Sequence, residues 1–166
     1  MRTLPLRDPR LLAKPPVCRL GAHILLRNTA GHVLIVDPDF LDGHTLPGGA
    51  CRTNEPPHRA ATRALHAQTG LHRPVTHLLA VDFTPADRYL ERLTLVFDGG
   101  TLTDADAARI TVPPRHHSNL HGARFADPRE LSTLMSPAQN ARVQQALATL
   151  GRTLPLLIHG QRATAE

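Results

Sequence analysis

The sequence predicts a single α/β (α+β) domain built as an α/β/α sandwich around a mixed β-sheet. Its 166 residues suffice for one hydrophobic core but not for two ordinary domains. Hydrophobic residues make up 41% of the chain and charged residues 20%, which argues against a membrane span and against global disorder. Runs typical of strands are mixed with a few helical segments out of strict alternation, and that order favours packed layers of helix and sheet.

The first predicted elements are an extended lead-in and a β-hairpin. Prolines are frequent in residues 1–20 and predict extended backbone there, with a short strand at Val17–Leu20. Apolar runs at Ala22–Arg27 and His32–Val36 flank a turn that ends at Gly31, which predicts a hairpin with Gly31 at positive φ. A polar loop over residues 37–47 follows.

A helix is predicted next, because Pro56 and Pro57 are well tolerated in a first helical turn. Good helix formers continue from Ala60 to Gln68, and Gly70 is a natural C-terminal stop, so the helix should have about 13 residues. Further strands are predicted at residues 75–83, 92–97 and 109–112.

The C-terminal part is predicted to hold two more helices. A short one follows Asp127-Pro128, and a longer one runs from Ser136 to Leu150 with apolar residues at helical spacing. These elements place the single domain at residues 21–151, between the lead-in of residues 1–20 and a C-terminal tail of residues 152–166.

The charge balance favours a small anionic partner. Lys and Arg together number 19 against 14 Asp and Glu, which gives a net charge of +5. The basic residues are scattered rather than clustered, and one Tyr and four Phe offer few surfaces for base stacking, so nucleic acid is not expected as a partner. No export signal or membrane span is recognised, and Cys18 and Cys51 are too few for a disulfide framework. The expected location is therefore the cytoplasm, with reduced thiols.

One segment carries a spaced motif. From residue 49 to residue 71 the chain can be aligned with the pattern G-x5-E-x7-R-E-U-x-E-E-x-G-U, in which U is a bulky aliphatic residue. The matching positions are Gly49, Glu55, Arg63, Leu65, Gly70 and Leu71, and the segment Leu46-Pro47-Gly48-Gly49 precedes them. This segment resembles the Nudix box, and residues 123–131 are similar to the strand-to-helix junction that closes many Nudix domains. The resemblance implies a Nudix fold over roughly residues 20–150.

The same resemblance implies a metal site that the residues here do not supply. In the family, three glutamates of the box helix gather Mg²⁺ or Mn²⁺ against a diphosphate. In this chain those positions are Ala64, Ala67 and Gln68, which are three and four residues apart and so share one helix face. Hard cations demand oxygen ligands. We therefore expect no metal ligands and no cofactor, with Mg²⁺ needed only if the chain remains a hydrolase.

The candidate substrate-binding residues surround this face. Arg52 and Arg63 could meet a phosphate directly as bidentate donors, and the loop at Gly48-Gly49 lets backbone approach a ligand. Gln68 offers an amide, and His44 stands where many relatives have tryptophan. For Arg63 and Glu55 two interpretations stay open, a structural salt bridge that supports the loop or direct contact with the ligand.

The candidate catalytic residues are Glu55, His116 and His117. The two histidines lie in a loop without acids, at a place where relatives often carry a catalytic glutamate. Imidazole could act as a general acid or base without a metal.

Three hypotheses about function follow. In the first, the protein binds or acts on a nucleotide-like or other phosphorylated small molecule, with metal-dependent diphosphate hydrolysis lost or rewired. In the second it is an active Nudix hydrolase that recruits metal through Glu55, Gln68 and an acid from elsewhere, such as Asp82, Glu91 or Asp98. In the third it is a non-catalytic binding or regulatory module. A homodimer is compatible with each of them.

Overall fold

The structure of the chain is a computed structural model. The structure describes residues 17–114 and 119–152 together with the short strand segments 154–155, 157–158 and 161–162. In this part of the chain the strands are β1 (Arg19–Arg27), β2 (Val33–Pro38), β3 (Gly48–Ala50), β4 (His77–Thr84), β5 (Arg92–Thr101), β6 (Leu120–Ala126), β7 (Leu154–Pro155), β8 (Leu157–Ile158) and β9 (Gln161–Arg162). The helices are α1 (Pro57–Thr69), α2 (Asp104–Ala107), α3 (Leu131–Leu134) and α4 (Pro137–Ala148).

The central sheet is mixed. Its strand order is β6-β2-β1-β5-β4-β7, and β3 pairs with β1 beside β2. Strands β1 and β5 are parallel, whereas β1 is antiparallel to both β2 and β3. Strand β3 pairs with the first half of β1, and this pairing places Gly48 and Gly49 in the middle of the fold. The short strands β8 and β9 form a separate pair.

Helices cover both faces of the sheet, as the α/β/α prediction requires. On one face Ala60, Ala61 and Leu65 of α1 pack in a core with Ile24 and Phe97. A second core, on the other face, joins α4 to the sheet through the residues Val143, Ala146, Leu25, Ile35 and Val96. None of the helices within the described residues is long and apolar enough to cross a membrane.

Most predicted elements are confirmed with small shifts of their ends. Helix α1 has 13 residues and stops at Gly70, whose φ of 72° is left-handed and whose N–H donates to the His66 carbonyl oxygen. The hairpin turn holds Gly31 at a φ of 80°. The predicted strand at Val17–Leu20 and the run that follows it form one strand, β1.

Two predictions about local structure were wrong. The run Arg109–Val112 is not a strand but follows helix α2 as loop, and its Thr111 N–H donates to the Thr69 carbonyl oxygen. Its apolar residue Ile110 is partly buried against the core of α1, so burial rather than sheet pairing explains the apolar pattern. The segment Gly48-Gly49, expected in a loop, instead belongs to strand β3.

The expected C-terminal tail, residues 152–166, contains strand β7, and β7 pairs with β4 of the central sheet.

A largely buried histidine lies between the sheet and α4. His23 Nδ1 is 3.1 Å from the Leu46 carbonyl oxygen, so the ring donates there from Nδ1. Burial is the main cause that lowers the pKa of His23 from 6.5 to about 4, and the positive charges of Arg142 and Arg92 lower it further. The hydrogen bond to Leu46 acts in the opposite direction.

The lowered pKa makes stability fall in acid. Because the unfolded chain binds a proton at His23 near pH 6.5 and the folded chain only near pH 4, the free energy of unfolding should decrease as pH falls between these values. The loss from this group is up to roughly 3 kcal/mol. Urea unfolding across this range measures it. His23→Gln keeps a donor for Leu46 but does not titrate, so its stability should change less with pH. Parallel profiles for the two proteins would contradict this assignment.

Candidate functional site

The candidate site is built on the turn and helix that follow β3. Helix α1 begins with Pro56 as its N-cap and Pro57 as its first residue. Because proline has no N–H, these two residues leave no unsatisfied donor at the start of the helix. Before them the chain turns tightly at Asn54, whose φ of 60° is left-handed, and the Glu55 N–H donates to the Arg52 carbonyl oxygen at 3.0 Å. This turn brings the Glu55 side chain back over the loop.

Glu55 and Arg63 form a bidentate ion pair. Arg63 Nε donates to Glu55 Oε1 at 2.6 Å, and one of its terminal nitrogens, Nη2, donates to Glu55 Oε2 at 2.8 Å. The same Nη2 also donates to the Ala50 carbonyl oxygen, while Glu55 Oε2 accepts from the Arg52 N–H. The structural salt bridge that the sequence left open is therefore present, and it ties β3, the turn and α1 together. Contact of either residue with a ligand stays a prediction.

The ion pair also fixes the protonation state of Glu55. Hydrogen bonding to Arg63 is the main cause that lowers the pKa of Glu55 to about 2, with the Arg52 N–H acting in the same direction. Its side chain is 15% exposed. Glu55 is thus a carboxylate at neutral pH, and since a general acid or base works best with a pKa near the operating pH, this environment does not favour proton transfer by Glu55.

Gln68, near the C-terminal end of α1, binds the helix to strand β3. The Gly48 N–H donates to Gln68 Oε1 at 2.9 Å, and Gln68 Nε2 donates to the Gly48 carbonyl oxygen, also at 2.9 Å. Both backbone groups of Gly48 are therefore satisfied by one side-chain amide. A carboxylate could accept the first of these bonds but could not donate the second.

The two alanines on the same helix face have different surroundings. Ala64 is only 6% exposed. It packs against β3, because a methyl group added at Gly49 would lie 3.7 Å from Ala64 Cβ. Ala67 is exposed. The face thus presents two methyl groups and one amide whose oxygen and nitrogen already have partners.

These residues do not fit the divalent cation that the motif implies. Mg²⁺ and Mn²⁺ need several oxygen ligands. On this face the Gln68 oxygen accepts from Gly48, the Gly48 oxygen accepts from Gln68, and the Glu55 oxygens are bound by Arg63 and Arg52. Within the described ranges, no group of three or more His, Cys, Asp or Glu residues could hold a metal ion.

Two of the acids proposed as replacement ligands lie elsewhere. Asp82 Oδ2 accepts from Arg142 Nε at 2.8 Å, which places Asp82 toward α4, on the sheet face opposite α1. Asp98 accepts from the Gly100 N–H and lies 3.8 Å from an Arg27 nitrogen. The structure thus shows both carboxylates engaged away from the helix face.

The remaining histidine predictions have different outcomes. The His44 N–H donates to the Leu134 carbonyl oxygen, so the backbone of His44 lies against α3 rather than against α1. His116 and His117 lie outside the described residues, and their role in acid–base chemistry stays a prediction.

A cleft beside Arg52 was not predicted. One cavity of about 360 Å³ is lined by the turn between β3 and α1, which we call the box turn and which includes Arg52 and Glu55. The first residues of β1, including Arg19, line its other side. A second cavity, of about 480 Å³, also has Arg19 in its wall, together with Arg92. Because Arg19 lines both, the two cavities are neighbours and form what we call the Arg19 cleft.

The far part of the Arg19 cleft is aromatic. Phe40 and Tyr89 line the second cavity and are 71% and 75% exposed. Leu41 and Leu90 line the same cavity and are also exposed, so the four side chains form an apolar patch of the kind that marks binding sites. The sequence offered a signal for Phe40 and Tyr89, since each lies in a polar, strand-free segment where core packing does not explain an aromatic side chain.

Cys51 also lines the cleft, and it is not poised as a nucleophile. Burial raises the pKa of its thiol, and the neighbouring Glu55 charge raises it further. The reactive form of cysteine is the thiolate, so the environment keeps Cys51 in its unreactive form.

Comparison with known proteins gives one family. The model of the NUDIX domain family matches residues 18–147. Among solved structures, a NUDIX hydrolase from Nitrosomonas europaea is similar with a TM-score of 0.66 and 14% identity, over 84% of this chain and 94% of that one. The NUDIX domain of Shewanella oneidensis NrtR, solved with ADP ribose, has a TM-score of 0.64 and 16% identity, over 87% of this chain and 99% of that one.

A third similar structure is an Ap4A hydrolase from C. elegans, with a TM-score of 0.64 and 13% identity, over 81% of this chain and 98% of that one. No curated protein sequence matches the chain. At these identities the structural likeness establishes the fold alone.

Proposed function

Because the chain belongs to the Nudix family, we propose that it binds a nucleotide-like phosphorylated small molecule in the Arg19 cleft, and that it does so without a divalent cation. The observation that carries this proposal is the pairing of chemistries along the cleft. Arginines line the part next to the box turn, and exposed aromatic rings line the part beyond it.

The arrangement suits a phosphate joined to a base. Arg19 and Arg52 can offer planar pairs of N–H donors to phosphate oxygens. Phe40 and Tyr89 can stack on a base, a contact that tolerates any base because every base has an apolar face. The similar structure solved with ADP ribose supports this ligand class.

The proposed loss of metal-dependent hydrolysis rests on the Gln68 contact. The two reciprocal hydrogen bonds with Gly48 hold the helix and the glycine strand together with a neutral amide. In the family pattern this position is an acid that serves the metal. We infer that the amide stabilises the same loop without an ion, and that Mg²⁺-dependent cleavage of diphosphates is lost. A cytoplasmic location and a homodimer stay predictions.

The test is a titration with two probes in the presence of EDTA. ADP-ribose carries a base and a diphosphate, whereas inorganic pyrophosphate carries only the phosphates. By calorimetry, Arg52→Gln should weaken both probes by about 10-fold, since a charge-assisted donor is lost. Tyr89→Ala should weaken ADP-ribose by roughly 5- to 100-fold and leave pyrophosphate unchanged, since only the base stacks.

A matched control is Arg124→Gln, which removes an exposed arginine of β6 that lines neither cavity of the cleft. It should bind both probes as the parent does. Equal affinities in all variants would refute the cleft as the binding site. Binding that EDTA abolishes, or Mg²⁺-dependent hydrolysis of ADP-ribose at ordinary enzymatic rates, would instead refute the metal-free part of the proposal.

A further inference from the structure

The two cysteines of the chain line one cavity. Cys18 and Cys51 are both in the wall of the cavity of about 360 Å³ at the box turn. Cys18 is exposed and Cys51 is half-buried, so neither residue is sealed in the core. They come from different parts of the fold, since Cys18 precedes β1 and Cys51 follows β3.

Strand pairing places the two cysteines on one face of the sheet. The register of β1 and β3 pairs Gly21 with Ala50. One residue further along, the Cys51 N–H donates to the Leu20 carbonyl oxygen at 2.9 Å, so Leu20 lies opposite Cys51. Residues two apart in extended chain share a face, so Cys18 is on the face of Leu20 and Cys51. Cys18 and Cys51 are therefore diagonal neighbours.

A small movement of the chain brings the two sulfur atoms together. Diagonal neighbours have Cβ atoms about 7 Å apart or slightly less, whereas a disulfide needs about 4 Å. Neither cysteine belongs to a strand, because Cys18 comes before β1 and Cys51 leads into the box turn. The Arg19 N–H is anchored at 2.8 Å by the Glu91 carbonyl oxygen. A rotation of the backbone before this anchor moves Cys18 toward Cys51 and keeps the pairing of β1.

We propose that Cys18 and Cys51 form a reversible disulfide when the protein meets a peroxide, and that this bond narrows the cavity at the box turn. The Cys18 thiolate attacks one oxygen of hydrogen peroxide, the O–O bond breaks, and hydroxide leaves while Cys18 becomes a sulfenic acid. The Cys51 sulfur then attacks the Cys18 sulfur, the S–O bond breaks, and the departing hydroxide takes the Cys51 proton as water. Together the two sulfurs lose two electrons, and the peroxide is reduced to water.

Exposure decides which sulfur is oxidised first. Cys18 meets peroxide in solution directly, whereas burial and the neighbouring Glu55 charge raise the pKa of the Cys51 thiol and keep it protonated. Cys51 reacts in the second step because a sulfenic acid held beside it in one cavity acts at a high effective concentration. A thiol reductant reverses the bond by thiol–disulfide exchange.

Peptide mapping of the oxidised protein tests the bond. After treatment with hydrogen peroxide and blocking of free thiols, digestion with trypsin without reductant should give a species that links residues 11–19 to residues 28–52. The intact monomer should lose two hydrogen atoms. Dilution of the protein should leave the yield unchanged, because the bond forms within one chain. Dithiothreitol should restore both free thiols.

A matched control keeps two cysteines in the chain but separates them. Cys51→Ser combined with Gln144→Cys moves one thiol to the exposed side of α4, where the Gln144 amide donates to the Pro128 carbonyl oxygen. This variant should form disulfides only between chains, and dilution should suppress them. A parent without the linked species, or a control that bridges within one chain as readily as the parent does, would overturn the proposal.

The effect of the bond on ligand binding rests on the function proposed for the Arg19 cleft. Oxidised protein should bind pyrophosphate in EDTA at least about 5-fold more weakly than reduced protein, because a charge-assisted hydrogen bond is lost when the cavity narrows. Dithiothreitol should restore the affinity. Unchanged affinity in protein that carries the linked species would overturn the narrowing. A reduced protein that binds no pyrophosphate would refute the proposed function instead, and the linked species would still establish the disulfide.

Discussion

Replacing Gly48 with alanine is expected to destabilise the domain strongly, although it adds only one methyl group. The new Cβ would lie 2.5 Å from the Ala22 carbonyl oxygen and 2.6 Å from both Cα and Nδ1 of His23. These are mostly backbone atoms of the paired strand β1, so they cannot move away without breaking the pairing of β3. The φ of Gly48 is 156°, which adds backbone strain for alanine. We expect a loss of about 3 kcal/mol or more, on the order of 10 °C in Tm.

Gly122→Ala is the matched control for this experiment. Gly122 also lies in a strand, β6, but an added Cβ there meets nothing within 4 Å. Its stability should stay within about 0.5 kcal/mol of the parent. Thermal and urea unfolding of the two variants give the comparison. Similar melting of both would mean that Gly48 is not held against β1 as described.

The sequence predicted α1 well because its signals are local. The prolines at the start, the helix formers from Ala60 and the stop at Gly70 all act within one or two turns of the chain. The strand predicted at Arg109–Val112 was wrong because an apolar pattern does not specify strand pairing. Alternation of apolar residues reports burial, and Ile110 is buried as part of a loop that packs on the core. Alternation alone does not distinguish a buried loop from a strand.

The site was harder to predict because its contacts are long-range. The motif identified Glu55, Arg63 and Gln68, but the reciprocal bonding of Gln68 to Gly48 joins residues 20 positions apart. The Arg19 cleft depends on β1 lying beside both β3 and β5, so that Arg19 comes near Arg52 on one side and Arg92 on the other. No spacing in the sequence encodes that adjacency. The total aromatic count, which argued against base stacking, also hid that Phe40 and Tyr89 are both exposed in one cavity.

The metal site should be recoverable by restoring the three acids together. Ala64→Glu, Ala67→Glu and Gln68→Glu place three carboxylates on the helix face beside the Gly48 carbonyl oxygen. Without metal, the triple variant loses the donor to Gly48 and gains repulsion among like charges, so we expect it to be roughly 2 to 4 kcal/mol less stable than the parent in EDTA. Mg²⁺ should bind and reverse much of that loss, because a ligand that binds only the folded state stabilises it. The parent should melt at the same temperature with and without Mg²⁺.

A second triple variant tells a specific site from a general effect of charge. Ala141, Gln144 and Gln145 have the same spacing on the exposed side of α4. Changing all three to glutamate gives the same number of added carboxylates, but without a glycine carbonyl held against the helix. We expect little stabilisation of this variant by Mg²⁺. Differential scanning calorimetry at several Mg²⁺ concentrations measures both effects. If the two triple variants respond alike, the face that carries Ala64 and Gln68 has no special relation to Gly48, and the metal-free interpretation of the Gln68 amide fails with it.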